Sequence, residues 1–513
     1  MGRILILAVV VAGLLALSGG QNDDPRTPPA APGHPPPFLG TAVVGSGGLT
    51  GAVDAYGGLV DLRSPGPAGE AQIRNSADRQ RVGTVPADTG ITVAAASGER
   101  PPAPLWTGKR LRQQYLEGTN VLRTAATVAG ARVRITDAAT RTAIVRRVSA
   151  RAAGERVSIR LGIHLDPDSG LGCVTTPDSS QGESLVVEGR SSVMAELSCA
   201  SGPAPGVERT LEAVVRQDRR WLARARPLGR SPPWARRLYE RSLLVLRALT
   251  DASTGAMAAG PRDHWALVWP RDAGIGAIAL RAAGYTRLAE RIAAFLADRD
   301  PDAAARFRGD GSPVGGRAAA GDAAGWISVG GAGVVDDDPR PRDWTDKQDY
   351  QELRRDSGDY LANAIASGAA VAEIRERFAT ARGLVRTSGD PSSGLDSVAA
   401  WAVRPFHIRE LEEPVRKTLL SFAREAGRYG IRPSEGFSNP DAWTAPTAWS
   451  AWSLAALGEE AAADRLLRRL QRTAAPTGTL PERVDRRTGV ALSTTPLAWS
   501  HAFAALALRE RYG

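Results

Sequence analysis

D-H-W-A-L-V-W-P-R-D-A-G-I-G-A-I-A-L-R-A-A-G, residues 263–284, sets two tryptophans four positions apart just ahead of a helix. Pro270 suits a first helical turn, where its missing N–H costs little. Ile275, Ile278, Ala279 and Ala282 then recur at the spacing of one helical face. Arg271 and Asp272 adjoin where that helix begins. Indole rings stack on the C–H faces of sugars, and a paired donor and acceptor grip their hydroxyls. Trp265, Trp269, Arg271 and Asp272 are therefore a candidate sugar clamp. A buried tryptophan cluster with a structural Arg–Asp pair is the alternative on the local sequence alone.

Around this stretch the apolar residues keep a helical period. V-E-R-T-L-E-A-V-V-R-Q-D-R-R-W-L over 207–222 puts Leu211, Val214, Val215 and Leu222 on one face, and residues 207–230 read as a linking helix. Helices are expected over 234–250, 287–297, 360–380, 412–426, 447–457, 459–472 and 497–509, with little strand between. Such a succession specifies a helical array or toroid over 231–513. Residues 301–350 are rich in Gly, Ala and Asp, without clear period, and read as a long loop.

Before residue 207 the period is two. Strands are expected within 121–135, 143–148, 157–163 and 185–187, punctuated by Gly57-Gly58, Gly130, Gly154 and Asp166-Pro167-Asp168. Many short strands at regular spacing predict an antiparallel β-sandwich over 38–206. Residues 21–37 form a polar, Pro-rich linker. Residues 1–20 read as an export signal: Arg3 is followed by an unbroken apolar run over 4–17, with Ala16, Ser18 and Gly19 as small residues for cleavage. An uncleaved N-terminal anchor is the alternative. An exported chain with two cysteines predicts one bridge, Cys173–Cys199.

The chain of 513 residues carries a net charge of +10, nearly all from arginine, since Lys109, Lys347 and Lys417 are the only lysines. The arginines are scattered through every segment rather than gathered in a stripe with aromatics. That distribution argues against a nucleic-acid partner and leaves a weak attraction to an anionic cell envelope. Five dispersed histidines and no C-x-x-C give no metal or cofactor motif. Oligomeric state is not legible.

Several stretches together resemble the family 15 glycoside hydrolases, the bacterial glucoamylase and glucodextranase group. Residues 43–62, V-V-G-S-G-G-L-T-G-A-V-D-A-Y-G-G-L-V-D-L, are similar to its opening hairpin. Residues 115–137, beginning Y-L-E-G-T-N, resemble a signature of its β-domain, and residues 242–259 the lead-in to its barrel. H-W-A-L-V-W-P-R-D at 264–272 resembles its sugar-clamping motif. L-P-E-R-V-D-R-R-T-G at 480–489 and S-T-T-P-L-A-W-S-H-A at 493–502 resemble its C-terminal catalytic signature. The resemblance implies a β-sandwich followed by an (α/α)6-type toroid, here read as short, and hydrolysis of terminal α-glucosidic bonds with inversion.

Inversion needs two carboxyl groups roughly 6.5–9.5 Å apart, one to protonate the leaving oxygen and one to activate water. The resemblance makes Glu482 the base, and Ser493 or Thr494 can hold it ionised by a hydrogen bond. The family's acid lies in a W-E-E motif. Its nearest counterpart is D-Y-Q-E-L at 349–353, which makes Glu352 the acid, with Gln351 and Leu353 departing from the pattern. Glu373 and Glu435 are the other candidates. Trp269, Arg271 and Asp272 match the clamp on the terminal glucose, and Trp265 an aromatic beside the cleaved bond. Arg432, in G-I-R-P-S-E, and Trp449 are further substrate-binding candidates, while Trp443 and Trp499 read as core. The motifs imply an α-glucan or α-glucoside substrate. They do not separate glucoamylase from glucodextranase or trehalase. The altered acid motif leaves open a sugar-binding envelope protein that kept the clamp and lost the acid.

Overall fold

The computed structural model describes residues 42–74, 90–178, 184–332 and 360–513. Among the described residues, twelve strands occupy the first part: β1 (Ala42–Gly45), β2 (Thr50–Val53), β3 (Leu59–Ser64), β4 (Glu70–Arg74), β5 (Gly90–Ser97), β6 (Ala103–Pro104), β7 (Lys109–Tyr115), β8 (Leu122–Val128), β9 (Ala131–Ala139), β10 (Ala143–His164), β11 (Gly172–Thr176) and β12 (Ser184–Ala200). They form one antiparallel network along β1-β2-β3-β5-β10-β9-β8-β7, with β12 also on β10. Two expected strands, 143–148 and 157–163, are one strand. Gly154 takes φ 73° in a bulge between Arg151 and Arg156, not in a hairpin turn. The bulge lets β10 pair with β9 over its first half and with β5 over its second. Val133, Ile135, Val148, Val157, Ile159 and Leu161 fill the space inside. Cys173 and Cys199 are disulfide-bonded between β11 and β12.

Helix α1 (Val207–Leu222) lies on the outside of this sheet, with Val207, Leu211 and Val214 against Val121, Ala138 and Val145. Buried polar groups then join the two parts. Asp218 of α1 accepts from the Asn120 amide at 2.7 Å and from Arg247 at 2.7 Å. Arg241 donates to Asn120 Oδ1 at 2.8 Å and covers the Tyr115 ring at 3.7 Å. Arg241 and Arg247 belong to α2 (Pro233–Ala248), so the Y-L-E-G-T-N segment is the socket for the helical half.

The remaining described helices are α3 (Pro270–Ala282), α4 (Thr286–Ala297), α5 (Ala323–Ala332), α6 (Leu361–Ala366), α7 (Val371–Phe378), α8 (Ala400–Val403), α9 (Glu412–Glu425), α10 (Thr444–Ala456), α11 (Glu460–Thr473) and α12 (Ala498–Tyr512). Helices α3, α5, α6, α8, α10 and α12 pack in a closed cycle. The four longer ones are apolar nearly all round, whereas α4, α9 and α11 bury one stripe, as outer helices do. Among the described residues the toroid therefore closes with six inner helices. Its shortness lies in α6 and α8, of six and four residues.

Helix α5 falls inside the expected loop. Its A-A-G-W-I-S-V-G-G-A sequence shows no period because glycine is used for approach: a Cβ on Gly330 would stand 2.9 Å from Gly274 Cα of α3. The centre of the ring is filled. Trp326, Trp401, Trp449 and Phe503 meet edge to face at 4.8–5.4 Å. Short strands β13 (Ala379–Thr380), β14 (Gly383–Thr387) and β15 (Asp390–Leu395) make a small sheet, and β16 (Ala442–Trp443) pairs with β17 (Arg483–Val484). No helix among the described residues is long and apolar enough to cross a membrane.

Candidate active site

A pocket opens at the N-terminal ends of α3 and α12. His264, Trp265, Trp269, Arg271, Asp272, Arg317, Glu482, Leu497 and Trp499 line it. Trp269 caps α3 and Leu497 caps α12, so the helix dipoles point their positive ends toward the pocket.

Glu482 reaches this wall through three anchors. Its carbonyl accepts from the Thr444 amide at the head of α10, and its amide donates to Thr494 O at 3.0 Å. Two residues earlier, the Leu480 amide donates to Nε2 of the buried His501 at 2.9 Å. Nε2 is thus the acceptor, so Nδ1 carries the proton and donates to Ser242 Oγ at 2.9 Å. Ser493 Oγ donates to Glu482 Oε2. Burial pushes the Glu482 carboxyl above its ordinary range; the Ser493 hydroxyl and the charges of Arg483, Arg271 and Arg317 oppose that rise.

Asp272 lies in the first turn of α3 and is buried. Burial raises its carboxyl to about 7; Arg271 opposes this, the Glu482 charge adds to it, and the Trp499 amide bonds the carboxylate. Its Oδ1 has no hydrogen-bond partner among the described residues. Arg271 pairs with Asp322, not with its neighbour, at 2.9 Å. Asp322 also accepts from Trp326 Nε1 at 3.0 Å, so the guanidinium is braced against the core of the ring. Arg271 lies over the Trp499 ring at 4.9 Å. Trp269 Nε1 donates to His264 O at 3.2 Å, and Trp265 lies tilted against the His264 ring with centroids 3.7 Å apart. The result is a pocket with two aromatic walls, two carboxyl groups and a fixed guanidinium.

The structure thus brings together Trp265, Trp269, Arg271, Asp272, Glu482 and Ser493. It does not bring in Arg432 or Trp449. Arg432 is exposed and lines a separate cavity with Tyr429 and Asp441, because its extended segment turns Ile431 inward and the next side chain out. Trp449 is 1% exposed within α10, donates to Ser397 Oγ at 3.2 Å, and meets Trp499 edge-on at 5.5 Å. Trp499, read as core, is the aromatic on the wall, and Trp449 supports it from behind. Glu435 is tied to Arg382 at 2.6 Å and Glu373 to Arg377 at 2.8 Å, both away from this pocket. Glu352 lies outside the described residues, as do residues 1–37. Asp322 and His501 were missed. Asp322 sits in a stretch without period, and His501 differs from a core histidine only in what its two nitrogens touch.

The sequence matches no family model and no curated protein. The fold, however, a β-sandwich followed by a helical toroid, has likenesses among solved structures. It is similar to a bacterial glucoamylase solved with acarbose, at a TM-score of 0.61 and 11% identity over 94% of this chain and 95% of that one. Glucoamylases from Saccharomycopsis fibuligera (TM-score 0.40, 14% identity, 56% of this chain and 96% of that one) and Hormoconis resinae (0.44, 13%, 55% and 73%) also match.

Proposed function

We propose that this chain is a secreted, exo-acting α-glucosidase of the glucoamylase type, hydrolysing terminal α-glucosidic bonds with inversion. The observation that carries the reading is Glu482, held by Ser493 in the same pocket as Trp269, Arg271 and Asp272. A carboxylate bonded on one oxygen keeps the other for the proton of an attacking water. In this reading Glu482 is the general base, and Glu352 supplies the proton to the leaving oxygen. Asp272 and Arg271 grip the hydroxyls of the terminal glucose, with Trp269, Trp265 and Trp499 against its faces. The aromatic core that fills the ring behind Trp499 supports cleavage from a chain end rather than passage of a chain through the ring. The likeness to glucoamylase supports an α-glucan substrate, and the apolar run over 4–17 with the Cys173–Cys199 bridge supports export.

Purified protein is assayed for glucose release from maltotetraose, isomaltotriose and trehalose. Maltotetraose is expected to be cleaved fastest. Faster cleavage of isomaltotriose or trehalose would reassign the linkage. Sugar binding with no glucose from any of the three would overturn the enzyme reading.

A further inference from the structure

The arginines that are scattered along the sequence are gathered by the fold. In antiparallel pairing, opposed residues share a face. One row across the sheet runs Arg112, Ala125, Arg134, Ser149, Met194 over β7, β8, β9, β10 and β12. The next runs Lys109, Thr127, Arg132, Arg151, Ser192, and Arg123 stands in the row on the other side. Lys109, Arg112, Arg123, Arg132, Arg134 and Arg151 are all exposed, on the face opposite Val133, Ile135 and Val148. None makes an ion pair among the described residues.

The borders of this field differ from its centre. Arg147 is neutralised by Glu196 and by Glu208 of α1, and Arg156 by Glu188. Inside the field, Arg132 and Arg151 are directly opposed across β9 and β10. Like charges in that relation destabilise a sheet. Neighbouring strands are about 4.8 Å apart, so Arg132 and Arg151 stand within a Debye length of each other, roughly 8 Å at physiological salt, and Arg112 and Arg134, two strands apart, stand just beyond it.

A second, independent observation falls on the same side. The large apolar side chains most exposed among the described residues are Val174, Val186 and Met194, at 56%, 48% and 52%. Met194 closes the Arg112–Arg134 row, Val186 is opposite the exposed Arg160, and Val174 is opposite Ser198, four positions along β12 from Met194. A soluble polyanion gains little from apolar side chains beside the cations. A bilayer takes both, with phosphates on the arginines and apolar tips at the boundary between headgroups and acyl chains.

We propose that the outer face of β7–β10 and β12, beyond the rows that α1 covers at Ala138 and Val145, is a peripheral membrane-binding surface for anionic phospholipid headgroups. It would hold the enzyme at a bilayer through its β-sheet, leaving the pocket at the N-terminal ends of the inner helices for substrate.

The full chain is sedimented with vesicles of phosphatidylcholine, alone or containing phosphatidylglycerol, at low and high salt. Wild type is expected to bind the phosphatidylglycerol vesicles at least tenfold more tightly, and to lose that preference in high salt. Each cation at an anionic surface strengthens binding roughly fivefold, so R132Q/R134Q/R151Q should lose about a hundredfold. The single variants R134Q and M194S, which leave a like-charge face no worse than before, should each lose several-fold and keep the test readable if the triple variant misfolds. Residues 1–41 are common to all these proteins, so the difference reads the sheet face. Equal binding to both vesicle types, or wild-type binding by the arginine variants, would overturn the proposal. So would retention on soluble polygalacturonate as tight as on the vesicles, which would assign the face to an anionic polysaccharide instead.

Discussion

Nε2 of His501 accepts a hydrogen bond from the Leu480 amide at 2.9 Å, two residues before Glu482. A histidine on α12 therefore sets the backbone from which the proposed base projects. Burial, with the Arg241 charge adding to it, lowers the His501 imidazole to about 3, so the ring is neutral and keeps this acceptor.

His501→Ala should leave the Leu480 amide without its partner and loosen the Glu482 loop. An unpaired buried donor costs about 1–3 kcal/mol, and a misplaced base about a hundredfold in rate. Steady-state kinetics on maltotetraose should show kcat falling with KM little changed. His501 also makes the folded protein acid-sensitive. The unfolded histidine takes a proton near pH 6.5 and the folded one only near pH 3, so stability is lost as pH falls through that window. His501→Gln should remove this part of the acid sensitivity in thermal melts. An unchanged kcat in His501→Ala would contradict the positioning role.

The two proposed catalytic carboxyls separate by leaving group. Glu352→Gln should abolish maltotetraose hydrolysis but spare α-glucosyl fluoride, whose leaving group needs little protonation. Glu482→Gln should abolish both, since water is no longer activated. Each loss on maltotetraose should be at least about a hundredfold. Full activity of Glu352→Gln on maltotetraose would move the acid elsewhere.

Asp272 acts on stability with the sign opposite to His501. Its carboxyl is raised from 3.8 to about 7, so the folded state holds a proton that the unfolded state releases. Wild type should therefore lose stability as pH rises from about 4 to about 7, by an amount on the order of 4 kcal/mol. Asp272→Asn should be free of that loss and should gain on wild type between pH 4 and pH 8 in denaturant melts. It should also raise KM for maltotetraose. A constant stability difference across that range would show that Asp272 titrates normally.

The joint between the halves rests on Asp218, which is fully buried and bonds both Asn120 and Arg247. Asp218→Ala leaves the Arg247 charge buried and should cost about 3–5 kcal/mol. Calorimetry should show a lowered Tm for the whole protein. A loss below about 1 kcal/mol would mean that water replaces the carboxylate at little cost.

Architecture was legible where hydrophobic period was strong. The change near residue 207 separates sheet from toroid because a strand buries alternate residues and α1 buries one stripe. It was not legible where close packing replaces period, as in α5, whose glycines let it approach α3. Nor could the merging of two strands into β10 be read, since a glycine at positive φ serves a turn and a bulge alike. In the pocket, Glu482 and Ser493 lie in adjacent motifs and were read together. Trp499 and Trp449 were exchanged because both stand on inner helices, and only the depth along α10 and α12 decides which one meets the pocket. Arg271 finds Asp322 across 51 residues, a pairing that no local spacing announces.

Inverting hydrolysis with Glu482 as base delivers water to the sugar face opposite the cleaved bond. It is tested most directly by proton NMR of the first sugar released from maltotetraose, before mutarotation. Wild type should release β-glucose as the first anomer, and Glu482→Gln should release no glucose. α-Glucose as the first anomer, or undiminished release by the Glu482 variant, would contradict it.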